Sequence, residues 1–262
     1  MNEDLTFLII TSLNDTQVEK TLANINGLAK ILLVDGGARK KSHVPAQEND
    51  YVKNLAELYD AEYSKFHFEN AAKSYNFGLD RVSSEYVFVL DSDEILDGNL
   101  REWISGGKYR QGEVFRVKRI NYFLGEPLKY GLLRPDWNIR LFRTGTARYE
   151  NREVHARVLT TKKINRAPGV LHHYTYTNVE ALIERLRDYS AREILAREKS
   201  NSQIEAKGKL RNMFLKLPFQ GMFRFIYNYI LRLGILDGKR GFHFAAISLY
   251  YELLVAMRRT YD

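Results

Sequence analysis

The chain has 262 residues, with 40 Lys and Arg against 32 Asp and Glu, a formal net charge of +8 and no cysteine. Without cysteine it forms neither a disulfide framework nor a thiolate metal site. No apolar run approaches the roughly 18 residues of a membrane-spanning helix, and the acidic start has only a short apolar run, so we expect neither a transmembrane segment nor a signal peptide. The surplus of positive charge indicates an anionic partner, and nucleic acid, a phosphorylated small molecule and an anionic membrane all qualify.

The first part of the chain alternates apolar runs with amphipathic segments. The apolar runs predict strands at residues 5–10, 31–34, 61–66 and 86–90. The segments between them have helical spacing and predict helices at residues 16–28, 54–59 and 70–82. Repeated alternation of this kind is typical of a parallel sheet that helices cover on both faces, so we predict an α/β fold.

Polar and acidic side chains follow three of the predicted strands. Asn14 and Asp15 follow the first strand, Asp35 the second, and Asp91 and Asp93 the last. Ligands of such sheets collect at the carboxyl ends of the strands, so we expect these side chains to share one edge. Two carboxylates at positions i and i+2 can reach one Mg²⁺ or Mn²⁺ ion, which keeps sites for substrate phosphates. A D-x-D pattern alone is a weak signal, but its place after a buried strand favours a metal site.

The second part of the chain has a different pattern. Apolar and charged residues alternate at 113–119 and 138–143, which predicts antiparallel, partly exposed strands. Pro168-Gly169 predicts a turn before the apolar run 170–173. The chain therefore changes from parallel to antiparallel pairing after the D-x-D segment.

The remaining residues predict helices. Thr177 or Asn178 is placed to cap a long amphipathic helix at 179–199. Residues 210–236 are dense in aromatic and aliphatic side chains, with cations at Arg211, Lys216, Arg224 and Arg232. A turn at 237–241 and an apolar helix at 242–257 follow. Basic amphipathic helices of this kind either lie in a membrane interface or pack on the main domain, and the sequence leaves both open.

Four segments, in this order, resemble glycosyltransferase family 2: LIITSLND, ILLVDGG, FENAAKSYNFGLDRVSSEYVFVLDSDEIL and RPDWNIRLFRTGTARYENREVHARV. They are most similar to small bacterial enzymes that add a β-linked sugar, often glucose, to the inner core of lipopolysaccharide. The tail LRLGILDGKRGFHFAAISLYY also looks like that subgroup, so the resemblance covers nearly the whole chain.

The resemblance implies a GT-A fold, a Rossmann-like nucleotide-diphospho-sugar transferase with a mostly parallel central sheet and C-terminal amphipathic helices. We expect a catalytic domain at 1–205, with a nucleotide-sugar-binding half at 1–97 and an acceptor half at 98–205. A helical appendage would occupy 206–262, where it either packs on the main domain or contacts the membrane.

The resemblance also implies roles for residues at the donor site. Leu13, Asn14 and Asp15 would border the nucleotide base, and Asp35 would contact uracil or ribose. The residues that would approach the donor diphosphate and sugar are Asn70, Lys73, Asn76 and Asp91. The resemblance thus implies a UDP-hexose donor.

The D-x-D of the family matches Asp91 and Asp93, with Asp93 as the more direct ligand of Mn²⁺ or Mg²⁺. His172 or His173 matches a downstream position that completes metal coordination in such enzymes. An isolated histidine is more often a structural residue, so the histidine ligand is the less secure part of this set.

An inverting transferase needs one carboxylate to take the proton of the acceptor hydroxyl, while cations stabilise the leaving diphosphate. The candidates are Asp136, Glu150 and Glu153, and we favour Glu153. The subgroup has Val-His-Glu where this chain has Val154-His155-Ala156. A catalytically degenerate GT-A scaffold or binding protein is therefore an alternative to an active enzyme.

The predicted acceptor site is a cationic stretch around Trp137. Arginine suits bidentate contacts with phosphate, and tryptophan can stack on a sugar face. The arginines of this stretch are Arg134, Arg140, Arg143 and Arg148. An anionic glycan or glycolipid acceptor would fit them, although a solvated strand face gives the same pattern.

Together these features predict an inverting, metal-dependent hexosyltransferase that acts on lipopolysaccharide inner core or another cell-surface glycan. A sugar nucleotidyltransferase is the second enzyme class, but the first strand lacks the glycine-rich phosphate loop that such enzymes use. The scattered charge and the lack of a recognisable module argue against a nucleic-acid partner. We expect the protein in the cytoplasm, either free or peripheral on the cytoplasmic face of the inner membrane.

Overall fold

The computed structural model describes residues 1–11, 17–36, 50–67, 69–131, 133–134, 136–151, 157–176, 178–201 and 220–261. The chain divides into two compact units. The first unit comprises Met1–Arg119 and Asp136–His173, and the second comprises Ile120–Pro135 and Tyr174–Asp262. The domain boundary predicted after residue 205 lies outside the described residues, so that division stays a prediction.

The first unit begins with four parallel strands in the order β3-β2-β1-β4. The strands are β1 (Asn2–Thr11), β2 (Ala29–Asp35), β3 (Glu62–Lys65) and β4 (Tyr86–Asp91). The helices between them are α1 (Val18–Ile25), α2 (Asp50–Leu58) and α3 (Ala71–Leu79). All seven elements lie where the sequence predicts them. Strands buried on both faces are continuous apolar runs, which is why the sequence pattern locates them well.

The sheet continues beyond β4 in the order β8-β6-β11-β5, with antiparallel pairing of β4 with β8, β8 with β6, and β11 with β5. The elements of this part are β5 (Glu94–Leu96), α4 (Gly98–Ser105), β6 (Val114–Phe123), β7 (Glu126–Pro127), β8 (Trp137–Arg143), β9 (Arg148–Tyr149), β10 (Val158–Leu159) and β11 (Ile164–Tyr176). The short β9 and β10 form a separate antiparallel pair. The predicted α/β class, with helices after the sheet, is confirmed.

Two hydrophobic cores lie on the two faces of the parallel strands, because successive strand side chains point to opposite faces. Phe7 packs with Leu22 of α1 on one face. Leu8 packs with Ala72 of α3 on the other. The helices therefore cover both faces of the sheet, as predicted, and leave the carboxyl ends of the strands for the loops.

The turn predicted at Pro168-Gly169 is wrong, because β11 runs through both residues. Gly169 has φ +76°, and a Cβ atom there would lie 2.4 Å from Asp97 Oδ1 and 2.7 Å from the Leu100 nitrogen. Glycine at this position thus allows the amino end of α4 to approach the strand, and it does not end the strand.

The second unit contains the ends of β6 and β11, the short β7 and the C-terminal helices. The helices are α5 (Val179–Asn201), α6 (Gln220–Ile226) and α7 (Gly238–Tyr261), with a π-helical turn at Tyr227–Leu231 and a 3₁₀ turn at Gly234–Asp237. Its core packs Phe123 and Leu128 against Leu182 and Leu186 of α5, with Phe244 of α7 against them. Among the described helices, none combines the length and apolar character that crossing a bilayer needs.

The ends of two predicted helices can be compared with the structure. Asn178 accepts a hydrogen bond from the Ala181 N–H at 2.8 Å, so it is a side-chain cap of α5, while Thr177 lies outside the described residues. The turn predicted at 237–241 is wrong over most of its length, because α7 begins at Gly238. Gly241 packs directly on Gly234, whose backbone oxygen would lie 1.7 Å from an added Cβ.

Candidate functional site

The D-x-D turn connects β4 to β5, and a side chain of α1 holds it in place. Asp91 ends β4, Glu94 begins β5, and only Ser92 and Asp93 lie between them. The buried hydroxyl of Thr21 in α1 lies 2.8 Å from the Ser92 carbonyl and 3.1 Å from the Glu94 carbonyl. A fixed turn holds the carboxylates in one place, as a binding site requires.

Strand pairing brings a histidine to this turn. The antiparallel register of β11 with β5 places His173 opposite Glu94 and His172 opposite Ile95. Since neighbouring strand residues point to opposite faces, one histidine of the pair reaches the turn. That histidine is His173, whose Nε2 lies 3.3 Å from Asp93 Oδ1.

Asp91, Asp93 and His173 form a candidate metal cluster. One ligand atom from each lies within 4.8 Å of the other two, and all three side chains are partly buried. No other group of three or more such ligands occurs among the described residues. Two carboxylates and an imidazole fit a divalent ion, and the imidazole favours a transition ion such as Mn²⁺ over Mg²⁺, which prefers oxygen alone.

Asp91 is held by the protein itself. Tyr75 donates its hydroxyl hydrogen bond to Oδ1, and Arg140 Nη2 lies 2.6 Å from Oδ2. Burial raises the pKa of Asp91, but the charge and hydrogen bond of Arg140 outweigh it, so this pKa lies well below its usual range. Both carboxylate oxygens of Asp91 are therefore engaged by protein groups. The priority of Asp93 as the direct metal ligand stays a prediction.

A buried ionic network lies behind the cluster. Glu94 is 0% exposed, and its Oε1 lies 2.5 Å from Arg140 Nη2 and 3.3 Å from Arg119 Nη1. Its Oε2 accepts the Asp91 N–H at 3.0 Å. Burial raises the pKa of Glu94, and the negative charge of Asp91 raises it further. The positive charge of Arg140 lowers this pKa, but the upward effects are larger, so the pKa of Glu94 lies above its ordinary value. Arg119 and Arg140 balance the negative charges of the partly buried Asp91 and the fully buried Glu94. A buried ionised carboxylate without such a partner would be strongly destabilising.

A β-bulge explains the position of Arg140. Phe115 pairs with Leu141 and Arg116 pairs with Ile139, so Arg140 is an extra residue in β8. Bulges bend a strand and redirect a side chain, and here Arg140 is 5% exposed and bound to acidic partners. This geometry does not favour the predicted contact of Arg140 with an acceptor, because its guanidinium is already committed.

The other predicted acceptor arginines have separate partners. Arg143 Nη2 lies 3.0 Å from Glu85, and Arg148 Nη1 lies 2.6 Å from Asp80. Arg134 belongs to the second unit, where its Nε donates to the Lys129 carbonyl. In the first unit, Trp137 is instead contacted by Arg116 and Arg166, which the sequence did not single out.

The predicted nucleotide-binding residues lie partly within the described chain. Asp35 ends β2, beside Thr11, and Asp91 pairs with Ile10, so both flank the end of β1 as expected. Asp35 is 0% exposed and accepts a hydrogen bond from Tyr63 at 2.8 Å. Leu13, Asn14 and Asp15 lie outside the described residues.

Three of the predicted diphosphate-binding residues belong to α3, with Asn70 and Lys73 at its start and Asn76 in its middle. Asn70 caps the helix by accepting from the Lys73 N–H at 2.9 Å, and the Lys73 ammonium pairs with Glu69. Asn76 bonds both the N–H and the carbonyl of Tyr149, at 3.0 and 2.9 Å. Asn76 thus joins α3 to β9, which is a structural contact.

Two of the three candidate bases are described. Asp136 Oδ2 lies 2.7 Å from Arg119 Nε, and its Oδ1 accepts from Asn138 at 2.7 Å. Glu150 is partly buried, and its N–H donates to the Arg157 carbonyl. Glu153 and Ala156 lie outside the described residues. Of the two described candidates, Asp136 is the one that Arg119 connects to Asp91 and Glu94, because the same guanidinium contacts all three carboxylates.

A known protein is similar to this chain over nearly its whole length. No family model matches the chain. Lipopolysaccharide core biosynthesis glycosyltransferase LpsC of Rhizobium meliloti (strain 1021) is 28% identical over 264 residues, covering 97% of this chain and 91% of that protein. The chain is similar to a lipopolysaccharide core glycosyltransferase. The resemblance stated from the sequence motifs is confirmed by this relative.

Two solved structures also align with the chain over most of its length. TarS 1-349 of S. aureus, in complex with UDP-GlcNAc, is 13% identical with a TM-score of 0.48, over 98% of this chain and 92% of that chain. The mannosyltransferase PcManGT of Pyrobaculum calidifontis, in complex with GDP-Man and Mn²⁺, is 12% identical with a TM-score of 0.49, over 100% of this chain and 88% of that chain.

Proposed function

We propose that the protein is an inverting, metal-dependent glycosyltransferase of the GT-A fold. It would transfer a hexose, with glucose as the first candidate, from a UDP-sugar to a saccharide acceptor such as lipopolysaccharide inner core. The observation that carries the proposal is the Asp91, Asp93 and His173 cluster at the carboxyl end of a parallel strand. The similarity to a lipopolysaccharide core glycosyltransferase supports the same reaction class.

In the proposed site, Asp93 and His173 hold the divalent ion, with Mn²⁺ preferred. A bound ion of this kind neutralises the diphosphate of the donor as it leaves. Tyr75 and Arg140 hold Asp91, which keeps the turn in place. In this proposal Asp91 also faces the donor. Asp35, oriented by Tyr63, would accept a hydrogen bond from the ribose or uracil at the neighbouring strand end.

Asp136 is the base in this proposal, ahead of Glu153. Arg119 binds Asp136 at 2.7 Å, and its Nη1 lies 3.3 Å from Glu94. Asp136 is thus linked through Arg119 to Glu94, beside the D-x-D segment, and this link supports it as the group that takes the proton of an acceptor hydroxyl. Asp136→Asn should lower kcat by about 100-fold or more with UDP affinity unchanged. The same loss in Glu153→Gln or Glu150→Gln, with Asp136→Asn active, would assign the base to that glutamate.

The function is tested by calorimetric titration of UDP with and without Mn²⁺. We expect Mn²⁺-dependent binding to the wild-type protein and its loss in Asp93→Asn, which keeps the shape of the side chain and removes the charge. The matched control is Asp60→Asn, since Asp60 is exposed and far along the chain from the cluster. If UDP binds under no metal condition, the proposed function is wrong. Mn²⁺-dependent binding of UDP without transfer from any UDP-sugar would favour the degenerate scaffold.

We also propose that the second unit binds the cytoplasmic face of the inner membrane. Large apolar side chains are exposed there at Met222, Phe223, Ile230, Leu231, Leu233 and Leu236. The predicted cations contribute less, because Arg224 pairs with Glu252 and Arg232 donates to the Arg134 carbonyl, while Arg211 and Lys216 lie outside the described residues. Exposed apolar groups on short helices are suited to an interfacial position.

Membrane contact is tested by sedimentation with vesicles of phosphatidylglycerol and phosphatidylethanolamine. The wild-type protein should sediment with them, and Phe223→Ser with Leu231→Ser should remain in the supernatant. Leu159→Ser, an exposed apolar residue of the first unit, is the control. If the wild-type protein remains in the supernatant, the membrane part of the proposal fails, and the catalytic part is unaffected.

A further inference from the structure

Two guanidinium groups lie over the ring of Trp137. The Cζ atoms of Arg116 and Arg166 are each 5.3 Å from the ring centroid. The three residues come from β6, β8 and β11, which are neighbours in the sheet. Cation–π contact holds each arginine in place, so both positive charges are fixed at the same ring.

A third cation belongs to the same face. Lys118 pairs directly with Trp137 in the register of β6 with β8, and residues that pair directly have their side chains on one face. Arg116 lies two residues before Lys118 on the same strand and so shares that face. We call Arg116, Lys118, Arg166 and Trp137 the cationic face.

The cationic face has no acidic counterpart among the described residues. No carboxylate there forms an ion pair with Arg116, Lys118 or Arg166, whereas Arg119, Arg140, Arg143 and Arg148 each have one. The Nε atom of Arg116 is also buried without a hydrogen-bond partner in the described part of the chain. Like charges close together are unfavourable, and a buried donor without a partner has a further cost, so the arrangement suits a bound anion.

We propose that the cationic face binds the phosphate of a phosphorylated sugar in the acceptor, which rests on the proposed transferase function. Guanidinium groups bind phosphate oxygens in bidentate pairs, and Trp137 orients the arginines. Trp137 precedes Arg140 by three residues on β8, and at about 3.3 Å per residue this is roughly 10 Å along the strand. Arg140 contacts Asp91, so the face is within reach of a saccharide whose hydroxyl approaches the metal cluster.

The position of Trp137 allows a direct test, because the chain has only two tryptophans. Trp103→Phe, which keeps an aromatic ring against Phe115, leaves Trp137 as the single fluorophore. Glucose 6-phosphate is titrated into this variant at constant ionic strength, with glucose and inorganic phosphate as comparison probes. We expect a saturable fluorescence change with glucose 6-phosphate, at least about tenfold weaker binding of inorganic phosphate, and no change with glucose.

Arg116→Gln and Arg166→Gln in this background should each weaken glucose 6-phosphate binding at least about tenfold. Arg81→Gln is the matched control, since Arg81 also stacks on an aromatic ring, that of Phe77. Circular dichroism establishes that each variant is folded, and exposed Arg166 is the position least expected to disturb folding. A non-saturable response, equal response in all variants, or equal affinity for inorganic phosphate would overturn the proposal.

Calorimetry with UDP and Mn²⁺ on the same variants separates this proposal from the transferase function. If UDP binds and glucose 6-phosphate does not, the cationic face proposal is wrong and the donor site stands. If glucose 6-phosphate binds and UDP does not, the cationic face is an anionic-sugar site and the transferase function is wrong.

Discussion

The parallel and antiparallel halves of the sheet build the site in different ways. In the parallel half, Asp35 and Asp91 lie at strand ends, and the chain order of apolar runs is enough to place them on one edge. In the antiparallel half, His173 and Arg140 reach the site through a pairing register and a bulge. Local sequence therefore locates the carboxylates, whereas long-range strand pairing decides which residues surround them.

The largest expected effect comes from the antiparallel half. Arg140→Ala removes the guanidinium that binds Asp91 and Glu94 and leaves one partly buried and one fully buried carboxylate without their main partner. We expect the free energy of unfolding to fall by about 3–5 kcal/mol, measured by urea denaturation. Arg143→Ala breaks an exposed pair with Glu85 and should cost less than about 1 kcal/mol. Equal effects of the two variants would show that the network of Arg140 adds no more stability than an exposed ion pair does.

The histidine pair tests the strand register. His173→Ala should weaken Mn²⁺-dependent UDP binding by at least about tenfold, because His173 Nε2 lies at Asp93. His172→Ala changes the neighbouring residue, opposite Ile95, and should bind UDP as the wild type does. Calorimetry on both variants measures the difference. Loss in His172→Ala alone would contradict the observed register.

A moderate effect on stability is expected when Thr21 of α1, which supports the D-x-D turn, is changed. Thr21→Val keeps the shape of the side chain but removes the hydroxyl that donates to the Ser92 and Glu94 carbonyls. We expect a loss of about 1–3 kcal/mol in the free energy of unfolding, because buried polar groups lose a partner. Mn²⁺-dependent UDP binding should weaken in parallel. A variant with wild-type stability and affinity would show that the turn needs no such support.

The smallest effect concerns the other end of β1. The hydrogen bond from Arg110 lowers the pKa of Asp4 below its ordinary 3.8, with a further contribution from Tyr109. A lowered folded-state pKa stabilises the protein above the unfolded value, and this contribution disappears as pH falls through the folded value. Asp4→Asn should therefore lose less than about 1 kcal/mol at pH 7 and show a flatter loss of stability in acid. Identical acid unfolding curves for both proteins would contradict this.

The elements that the sequence predicts well are those whose side-chain pattern is local. The apolar runs of β1, β2 and β4 and the carboxylates after them needed no knowledge of distant residues. By contrast, β5 has three residues, which is too few for a periodic signal. Gly169 resembles a turn residue, yet its role is to let α4 approach β11.

The site residues show the same limit. The choice between His172 and His173 depends on where β11 pairs with β5, which neither segment reveals alone. Arg140 resembled an exposed strand cation, and the bulge that turns it inward is a property of its pairing with β6. Arg116 and Arg166 lie far apart in the chain, so only the fold brings both to Trp137.

The proposed function depends on a divalent ion that Asp93 and His173 hold and that binds the donor diphosphate. The most direct measurement is electron paramagnetic resonance of Mn²⁺ titrated into the protein in the presence of UDP, which quantifies free Mn²⁺. We expect one tightly bound Mn²⁺ per chain in the wild type and in Asp60→Asn, and its loss in Asp93→Asn. Tight binding that persists in Asp93→Asn, or no tight binding in the wild type, would contradict it.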